Sequence, residues 1–339
     1  GLSLNNVSGN LIFTPPDESR TDELKNGRIR FTEFVTGRLV EAGGAPIRFS
    51  GDYMGYRLDS PFKVKLEIDE MSLPMTQATT QPATQAATKP ASSLHPQLKY
   101  ILKRIDKDYR PVGTAKIVVN LSRAPGQKDV TVDGSVTPKE MFATFRYTPY
   151  RVKVVGGKVR FTNQEVFVED IVAEREGATF TVNAKTRIGR NPKTGKWDWR
   201  ASVDVDSAKM TEPLSKALPE GIFFGKPYPL QRITGTVHAE DGRVWVEPDD
   251  PLRADGPGGM NCKIDWELVW TAKGKRLDGR VKAYDVPVDQ ALTDSMNKPG
   301  RDAMAMLNPS GTLEELFITI CDRPGEKLDF EVTAGMKDV

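Results

Sequence analysis

The chain has 339 residues, and its 48 Lys and Arg residues are nearly balanced by 46 Asp and Glu residues. This balance argues against a dedicated nucleic-acid-binding protein, because such proteins usually carry a clear excess of basic residues. No apolar run reaches the roughly 18 residues that a membrane-spanning helix needs.

Alternation of apolar and polar residues dominates the chain and predicts β-strands that each have one dry face and one wet face. The clearest alternating stripes, in chain order, cover residues 62–68, 180–184, 197–205, 260–270 and 328–332. One-sided burial of this kind is typical of antiparallel sheets. We therefore predict a mainly β protein built on an antiparallel sheet.

Few segments have helical periodicity. The best candidate covers residues 95–109, in which leucine and isoleucine recur on one face. Shorter helices are predicted over 211–218, with Thr211 as the N-cap, and over 288–296 and 301–307, with a break at the Pro-Gly step between these two. Each short helix follows one run of strands and precedes the next, so we expect the helices to separate repeats.

The sequence repeats itself. The sequence PVGT at 111–114 returns as PSGT at 309–312, and PGQK at 125–128 returns as PGEK at 324–327, in both cases about 200 residues later. A shorter glycine-based pattern also recurs, as VSGNLIFT and then as VGGKVRFT. Stacked supersecondary units that contact mainly their neighbours usually form elongated molecules.

The repeats suggest a division of the chain into four parts. Residues 1–72 are expected to be the C-terminal part of one β repeat unit, and 73–93 a disordered loop rich in Thr, Gln, Ala and Pro. Residues 94–298 are expected to form one full unit that begins with a helix, and 299–339 the start of the next unit. The loop has almost no large apolar residues to offset the entropy cost of ordering it. Because units are cut at both ends, we expect the chain to be a piece of a longer protein.

The predicted strands present more apolar surface than the few short helices can cover. Each apolar face must therefore meet another sheet, its own curved continuation or a molecule outside the chain. A sandwich or a closed barrel would bury these faces internally, whereas a long curled sheet would form a trough that an apolar ligand fills. Burial of apolar surface is worth about 25 cal/mol per Å², so an empty trough would be an exposed patch that needs an explanation. The sequence leaves both solutions open.

Several of these segments together resemble the AsmA-like family of envelope proteins of diderm bacteria, which includes TamB. The resemblance rests on glycine-based strands followed by a short helix that ends in Leu-Pro, and on a helix followed by the PVGT sequence and two further strands. The matching segments are 111–114, 117–121, 130–134, 152–162, 178–189, 197–210 and 214–219. The Thr/Gln/Ala-rich insertion and the lack of an N-terminal anchor depart from the pattern of the family.

The resemblance implies an elongated, curled antiparallel sheet that forms a repeating β-groove, in a periplasmic segment anchored to the inner membrane by parts outside this chain. It also implies that the groove carries phospholipid, or another lipid with acyl chains, between the inner and outer membranes and so maintains the outer membrane. These lipids and the two membranes are the implied partners. The candidate groove-lining residues are Val64, Leu66, Phe180, Val182, Trp199, Val203, Ile264, Trp266, Leu268 and Phe330. Trp266 and Trp270 would suit the rim, where an amphipathic indole fits the boundary with water.

The residues that carry polar chemistry are sparse and scattered. Neither His95 nor His238 lies near a nucleophile-elbow pattern. The two histidines and two cysteines do not have the spacing of a zinc site. Cys262 and Cys321 could form one bridge in an oxidising compartment, or both could be free buried thiols. We therefore expect no enzyme, and no catalytic, cofactor or metal site.

Two further functions stay compatible with the sequence. A structural or adhesive β-repeat scaffold without a lipid conduit would pack its apolar faces sheet on sheet and leave no continuous slot. A carbohydrate-binding or carbohydrate-acting β protein would present exposed aromatic residues beside clustered carboxylates. The surroundings of the apolar faces therefore distinguish the three hypotheses.

Overall fold

The computed structural model describes residues 4–20, 25–39, 45–57, 59–73, 107, 109–145, 148–191, 197–217, 226–296 and 298–337. These residues form mainly antiparallel β-strands with a few short helices, so the predicted fold class of a mainly β, antiparallel protein is confirmed. Apart from Leu73, the predicted loop over 73–93 lies outside the described residues. The predicted helix over 95–109 also lies outside them, except for Lys107 and Tyr109, which are helical.

The chain divides into two compact units. Unit 1 comprises Gly1–Arg146, Lys153–Ile171 and Arg187–Gly189, and unit 2 comprises Tyr147–Val152, Val172–Thr186 and Arg190–Val339. This division does not follow the predicted repeat boundaries, because those boundaries come from recurring sequence rather than from compactness. The boundaries of the repeats themselves stay predictions.

The strands of unit 1 pair in antiparallel fashion, and most of them pair with the next strand in the sequence. They are β1 (Leu4–Ser8), β2 (Leu11–Thr14), β3 (Arg28–Leu39), β4 (Ala45–Tyr53), β5 (Phe62–Leu73), β6 (Val112–Arg123) and β7 (Thr131–Phe145). β3 pairs with β1, β2 and β4. From β4 to β7, each strand then pairs with the next one in the sequence.

Three strands, β8 (Thr148–Thr162), β9 (Glu165–Arg175) and β10 (Ala178–Arg190), have residues in both units. The remaining strands belong to unit 2. They are β11 (Trp197–Ala208), β12 (Gln231–Glu240), β13 (Arg243–Trp245), β14 (Leu252–Asp255), β15 (Asn261–Thr271), β16 (Gly274–Pro287), β17 (Thr312–Asp322) and β18 (Asp329–Lys337). β10, β11 and β12 pair in order, the short strands β13 and β14 both pair with β12 and β15, and β15 to β18 again pair in order.

Three short α-helices of unit 2 lie close to their predicted positions. They are α1 (Glu212–Ala217), α2 (Gln290–Ser295) and α3 (Lys298–Leu307). Helix α2 is capped by Asp289, whose carboxylate accepts a 2.9 Å hydrogen bond from the backbone N–H of Leu292. Helix α3 includes the Pro-Gly step that was expected to precede it, because the first turn of a helix does not need the N–H that proline lacks. Thr211 occupies the predicted N-cap position of α1, since its carbonyl accepts a 2.9 Å hydrogen bond from the N–H of Ser215. Its hydroxyl does not cap the helix, because it is buried without a hydrogen-bond partner among the described residues.

The recurring PGQK and PGEK sequences form the same turn. The backbone N–H of Gln127 donates to the carbonyl of Ala124 at 3.2 Å, and that of Glu326 donates to the carbonyl of Arg323 at 3.1 Å. The two turns therefore cover residues 124–127 and 323–326, and the glycine at the third position of each has a φ of +76° and +80°, respectively. Proline at the second position and glycine with positive φ at the third define a type II turn. Hairpins β6–β7 and β17–β18 are therefore equivalent units of structure as well as of sequence.

The glycines of the recurring PVGT and PSGT sequences share a backbone conformation but differ in surroundings. Gly113 has a φ of +139° and Gly311 a φ of +111°, values that favour glycine because it has no Cβ. A Cβ on Gly113 would collide with the carbonyl oxygen of Glu140 on the neighbouring strand. A Cβ on Gly311 would meet nothing within 4 Å. The conformation recurs in both units, whereas the close approach of two strands is found at Gly113.

This difference predicts unequal costs for the same substitution. Gly311→Ala should lower the free energy of unfolding by roughly 1–2 kcal/mol, because the only penalty is backbone strain. Gly113→Ala should cost clearly more, because strands β6 and β7 would also have to separate. Urea unfolding of both variants, with hydrogen exchange to localise the change, measures the difference. Equal losses in the two variants would contradict this account.

Ion pairs cover the polar face of the sheet in unit 1. Glu67 is held by Lys65 at 2.5 Å and lies 3.5 Å from Arg48, and Arg48 also contacts Asp69 at 2.5 Å. The hydrogen bond from Lys65 lowers the pKa of Glu67 below its ordinary value, burial of the carboxylate opposes this change, and the charges of Lys65, Arg48 and Lys116 add to the lowering. The ionised form of Glu67 is therefore stabilised in the folded state.

A lowered pKa in the folded state makes the contribution of Glu67 depend on pH. The contribution is present above the ordinary pKa of 4.5 and is lost as the pH falls through the lower folded value. Glu67→Gln should therefore flatten the loss of stability below about pH 5. Lys65→Gln should act in the same direction, since it removes the strongest cause. Thermal unfolding of the wild type and both variants across this range measures the effect, and parallel pH profiles would exclude it.

Candidate functional site

Strands β4, β5 and β6 of unit 1 share a continuous apolar face. Opposite residues of antiparallel strands point to the same face. Phe49 lies opposite Leu66, and Leu66 lies opposite Val119 on its other side. Val64 is likewise opposite Leu121. The alternation in each strand thus brings three rows of apolar side chains together.

These rows surround an open depression with a volume of about 260 Å³. The residues that line it are Ile47, Phe49, Tyr53, Phe62, Val64, Leu66 and Leu121. All of them are aliphatic or aromatic. Ile47 is only 1 % exposed, whereas most of the others are half-buried. The depression is therefore an apolar concavity in contact with solvent.

Its floor rests on a tightly packed cluster. Ile47 packs with Ile68, Met71, Ile117, Val119, Val132 and Phe161, all of which are buried. The ring of Phe161 stands over Gly134, where a Cβ would collide with it. The side-chain amide of Asn163 donates to the carbonyl of Val130 at 2.7 Å and accepts from the N–H of Val132 at 2.5 Å. The depression thus opens above a fixed core.

One end of the depression is amphipathic. The rings of Tyr53 and Phe62 are stacked, with centroids 5.6 Å apart and an interplanar angle of 8°. The guanidinium of Arg123 lies 5.1 Å from the centroid of Phe62, which is a cation–π distance. Arg123 also donates to the carbonyl of Ser60 at 2.9 and 3.1 Å, and the Tyr53 hydroxyl donates to the carbonyl of Arg57 at 2.8 Å. This end of the depression therefore presents the positive charge of Arg123 beside the aromatic rings of Tyr53 and Phe62.

Two of the predicted groove-lining residues, Val64 and Leu66, line this depression. The other lining residues were not predicted. Ile47, Phe49 and Tyr53 alternate with Arg48 and other polar residues along β4, so the signal was present in the sequence. The register that places β4 beside β5 is not readable from alternation alone.

In unit 2, Phe180, Val182, Trp199 and Val203 share the apolar face of β10 and β11. Phe180 lies opposite Val205, Val182 lies opposite Val203, and Trp199 lies opposite Thr186. All four predicted residues are half-buried. The structure therefore brings them together in one sheet, on its apolar side.

The predicted residues of β15 have a different environment. Trp266 and Leu268 are only 8 % and 4 % exposed, and they pack with Val246, Leu277 and Ile320. Ile264 packs against this cluster. Of the two tryptophans considered for the rim, Trp266 is buried and Trp270 is 44 % exposed. Phe330, the last predicted residue, lies on β18 and is 45 % exposed.

The helices of unit 2 cover a further part of its apolar surface. Leu292 of α2 is buried in a cluster with the strand residues Ala283, Val286 and Leu313, and Met304 of α3 packs against it. Tyr228 is buried in the same cluster. Burial, with smaller effects of Asp289 and Cys262, raises the pKa of Tyr228 to about 12. This part of unit 2 is closed by its own side chains.

The described residues contain few clusters of side chains that could act in catalysis or bind a metal. No group of three or more His, Cys, Asp or Glu residues within them could hold a metal ion. His238 stacks on Trp245 with ring centroids 5.4 Å apart, and His95 lies outside the described residues. Among the helices that the structure describes, none is long and apolar enough to cross a membrane. The apolar depression of unit 1 is therefore the candidate functional site.

Comparisons of the chain with protein-family models, with curated proteins and with solved structures find no match.

Both cysteines are free thiols in unit 2. Cys262 is buried, and this burial raises the pKa of its thiol to about 12. Cys321 is half-buried, and its sulfur accepts a 3.2 Å hydrogen bond from Arg323 and donates to Asp278 at 3.3 Å. Thiol reactivity requires the thiolate and access to it.

A thiol reagent should therefore distinguish the two cysteines. We expect a maleimide at neutral pH to label Cys321 in the native protein and to label Cys262 only after unfolding, as read by peptide mass spectrometry. Cys321→Ser should leave the native protein unlabelled. Rapid native labelling of Cys262, or a native protein in which neither thiol reacts until a reductant is added, would contradict this assignment.

Proposed function

We propose that the protein binds the acyl chains of lipids in the apolar depression of unit 1. The observation that carries the proposal is an open concavity lined only by aliphatic and aromatic side chains. Covering such surface is favourable by about 25 cal/mol per Å², or roughly 0.8 kcal/mol per buried methylene group. An acyl chain can cover it without satisfying any polar group in the lining.

The amphipathic end of the depression supports one orientation of the lipid. Tyr53 has an apolar ring with a polar hydroxyl, and its ring stacks on that of Phe62 at one end of the depression. Arg123 adds a positive charge beside the ring of Phe62. Amphipathic aromatic residues suit the boundary between hydrocarbon and water. The polar group of the lipid would therefore lie toward Arg123, with the chain running over Val64 and Leu66.

The wider role that we propose is phospholipid transfer between the inner and outer membranes, as part of a periplasmic, inner-membrane-anchored protein of the AsmA-like type. The resemblance of the sequence motifs supports it, and so does the recurrence of an equivalent hairpin in both units. The half-buried apolar residues of β10 and β11, among them Phe180 and Trp199, are the candidates for contact with lipid in unit 2. In this role no covalent bond is broken, and the lipid moves by exchanging one apolar contact for another.

The proposal is tested by placing a carboxylate in the depression. Val64→Asp should weaken binding of a fluorescently labelled palmitate by at least about tenfold, which corresponds to about 1.4 kcal/mol, because a charge in an apolar site is costly to desolvate. Ser72→Asp is the matched control, since it adds the same group at an exposed position of the same strand. Circular dichroism confirms that both variants fold.

Lipid that copurifies with the protein provides a second readout. Native mass spectrometry of gently purified wild type should show bound lipid, and Val64→Asp should reduce it. Wild type without bound lipid and without affinity for palmitate would reject lipid binding and favour the scaffold hypothesis. Equal binding by Val64→Asp and Ser72→Asp would reject this depression as the site.

A further inference from the structure

Three basic residues lie side by side on the polar face of unit 2. Arg253 of β14 is opposite Lys263 of β15, and Lys263 is opposite Lys282 of β16. Directly opposite residues of antiparallel strands have Cα atoms only about 4.5–5.5 Å apart, and like charges at such positions are destabilising. We call Arg253, Lys263 and Lys282 the basic row. Thr234 of β12 lies opposite Arg253 on its other side and extends the row by a hydroxyl group.

The first two residues of the basic row are in contact with solvent. Arg253 and Lys263 are both exposed. Their sequence neighbours Ala254 and Cys262, which lie on the other face of the sheet, are only 3 % and 2 % exposed. Since side chains alternate between the two faces of a strand, the basic side chains lie on the wet face. A ligand in solution can therefore reach them.

The carboxylates that flank the basic row are already paired with other cations. These ion pairs are Asp255–Arg232, Asp265–Arg280 at 2.8 Å and Glu315–Lys282 at 2.9 Å. Within the part of the chain that the structure describes, neither Arg253 nor Lys263 forms an ion pair. The charges of these two opposite residues are therefore not compensated by the protein.

An acidic pair on the same face shows how this sheet compensates neighbouring like charges. Glu267 of β15 lies opposite Asp278 of β16. The guanidinium of Arg276 contacts Glu267 at 3.3 Å and Asp278 at 2.6 Å. One cation thus bridges two carboxylates that would otherwise repel each other across the strands.

Unit 1 contains the inverse arrangement, in which two cations share one anion. Arg28 and Arg30 of β3 both contact the same carboxylate oxygen of Asp52, at 2.7 and 2.9 Å. Arg253 and Lys263 have no such shared carboxylate among the described residues. An anion that is supplied by a ligand would complete the same arrangement in unit 2.

We propose that Arg253 and Lys263 form a binding site for a phosphomonoester group. Such a group carries a charge of about −1.5 to −2 at neutral pH and has three strong acceptor oxygens, so it can compensate both cations, whereas a carboxylate would compensate only one. The planar guanidinium of Arg253 suits two oxygens of one phosphate group. Thr234 supplies a hydroxyl donor beside Arg253, and Lys282 adds positive charge beside Lys263.

Calorimetric titrations of the full chain with phenyl phosphate and benzoate test the site, because the two probes share a ring and differ in the anion. We expect phenyl phosphate to bind at least severalfold more tightly than benzoate. Arg253→Gln and Lys263→Gln should each weaken phenyl phosphate binding by at least about tenfold. Lys275→Gln is the matched control, because it removes the same charge from an exposed position of β16, and it should leave the affinity unchanged.

Thermal unfolding provides a second readout and shows that each variant is folded. Without ligand, Lys263→Gln should raise the unfolding midpoint by about 1–3 °C, because it removes the repulsion between Arg253 and its opposite residue. Saturating inorganic phosphate should stabilise the wild type, since a ligand that binds only the folded state raises its stability. The same addition should have little effect on Lys263→Gln, so the difference between the two proteins should narrow or reverse.

Vesicles distinguish a soluble phosphomonoester from the polar group of a lipid. Cosedimentation with phosphatidylcholine vesicles that contain phosphatidic acid, lost in Lys263→Gln, would assign the site to a membrane surface. Binding of phenyl phosphate without cosedimentation would assign it to a soluble ligand.

Three outcomes would overturn the proposal. They are a wild type that does not bind phenyl phosphate, equal affinities for phenyl phosphate and benzoate, and equal weakening of phenyl phosphate binding by Lys263→Gln and Lys275→Gln. The last outcome would show an effect of overall charge rather than of a site. Palmitate binding by the depression of unit 1 is measured separately with Val64→Asp, so either proposal can fail without the other.

Discussion

The apolar side of an antiparallel sheet has to be covered, and the rest of this structure follows from how that is done. Alternation places one row of apolar side chains on each strand, and pairing aligns the rows on one face. In unit 2, helices α2 and α3 cover part of that face, and Trp266 and Leu268 are buried by neighbouring side chains. In unit 1, the rows of β4, β5 and β6 leave an open concavity.

What covers an apolar face decides what that face can do. A cluster that is closed by its own side chains contributes to stability. It has no surface that a ligand could contact unless the cluster opens. The depression beside Val64 and Leu66 instead combines a packed floor with solvent-accessible walls. In the lipid-binding role that we propose, its aromatic and cationic end would orient the polar group of the lipid. Both units thus have strands that alternate apolar and polar residues. Their apolar faces differ in exposure, because helices and side chains cover much of the face in unit 2 but leave a depression open in unit 1.

Much of this architecture is readable in the sequence, since alternation and turn chemistry are local. The recurring Pro-Gly pair, at the centre of each four-residue turn, specifies a type II turn, and the structure has that turn twice. Non-local properties were not readable. The register of β4 against β5 forms the depression, and alternation alone does not specify that register. Likewise, the position of Thr211 before a helix predicts a side-chain cap, but its buried hydroxyl makes no such hydrogen bond among the described residues. The sequence also treated Trp266 and Phe330 alike, although one is buried and the other exposed.

Most described strands pair with the strand that comes next in the sequence. Such pairing keeps the sequence separation between contacting residues short, and short separations favour rapid folding. A polypeptide that emerges end-first from a ribosome or a translocation pore can therefore complete each ladder as soon as the following segment appears. Folding of this kind proceeds along the chain in one direction. At each stage one newly formed strand edge stays unpaired until the next strand forms.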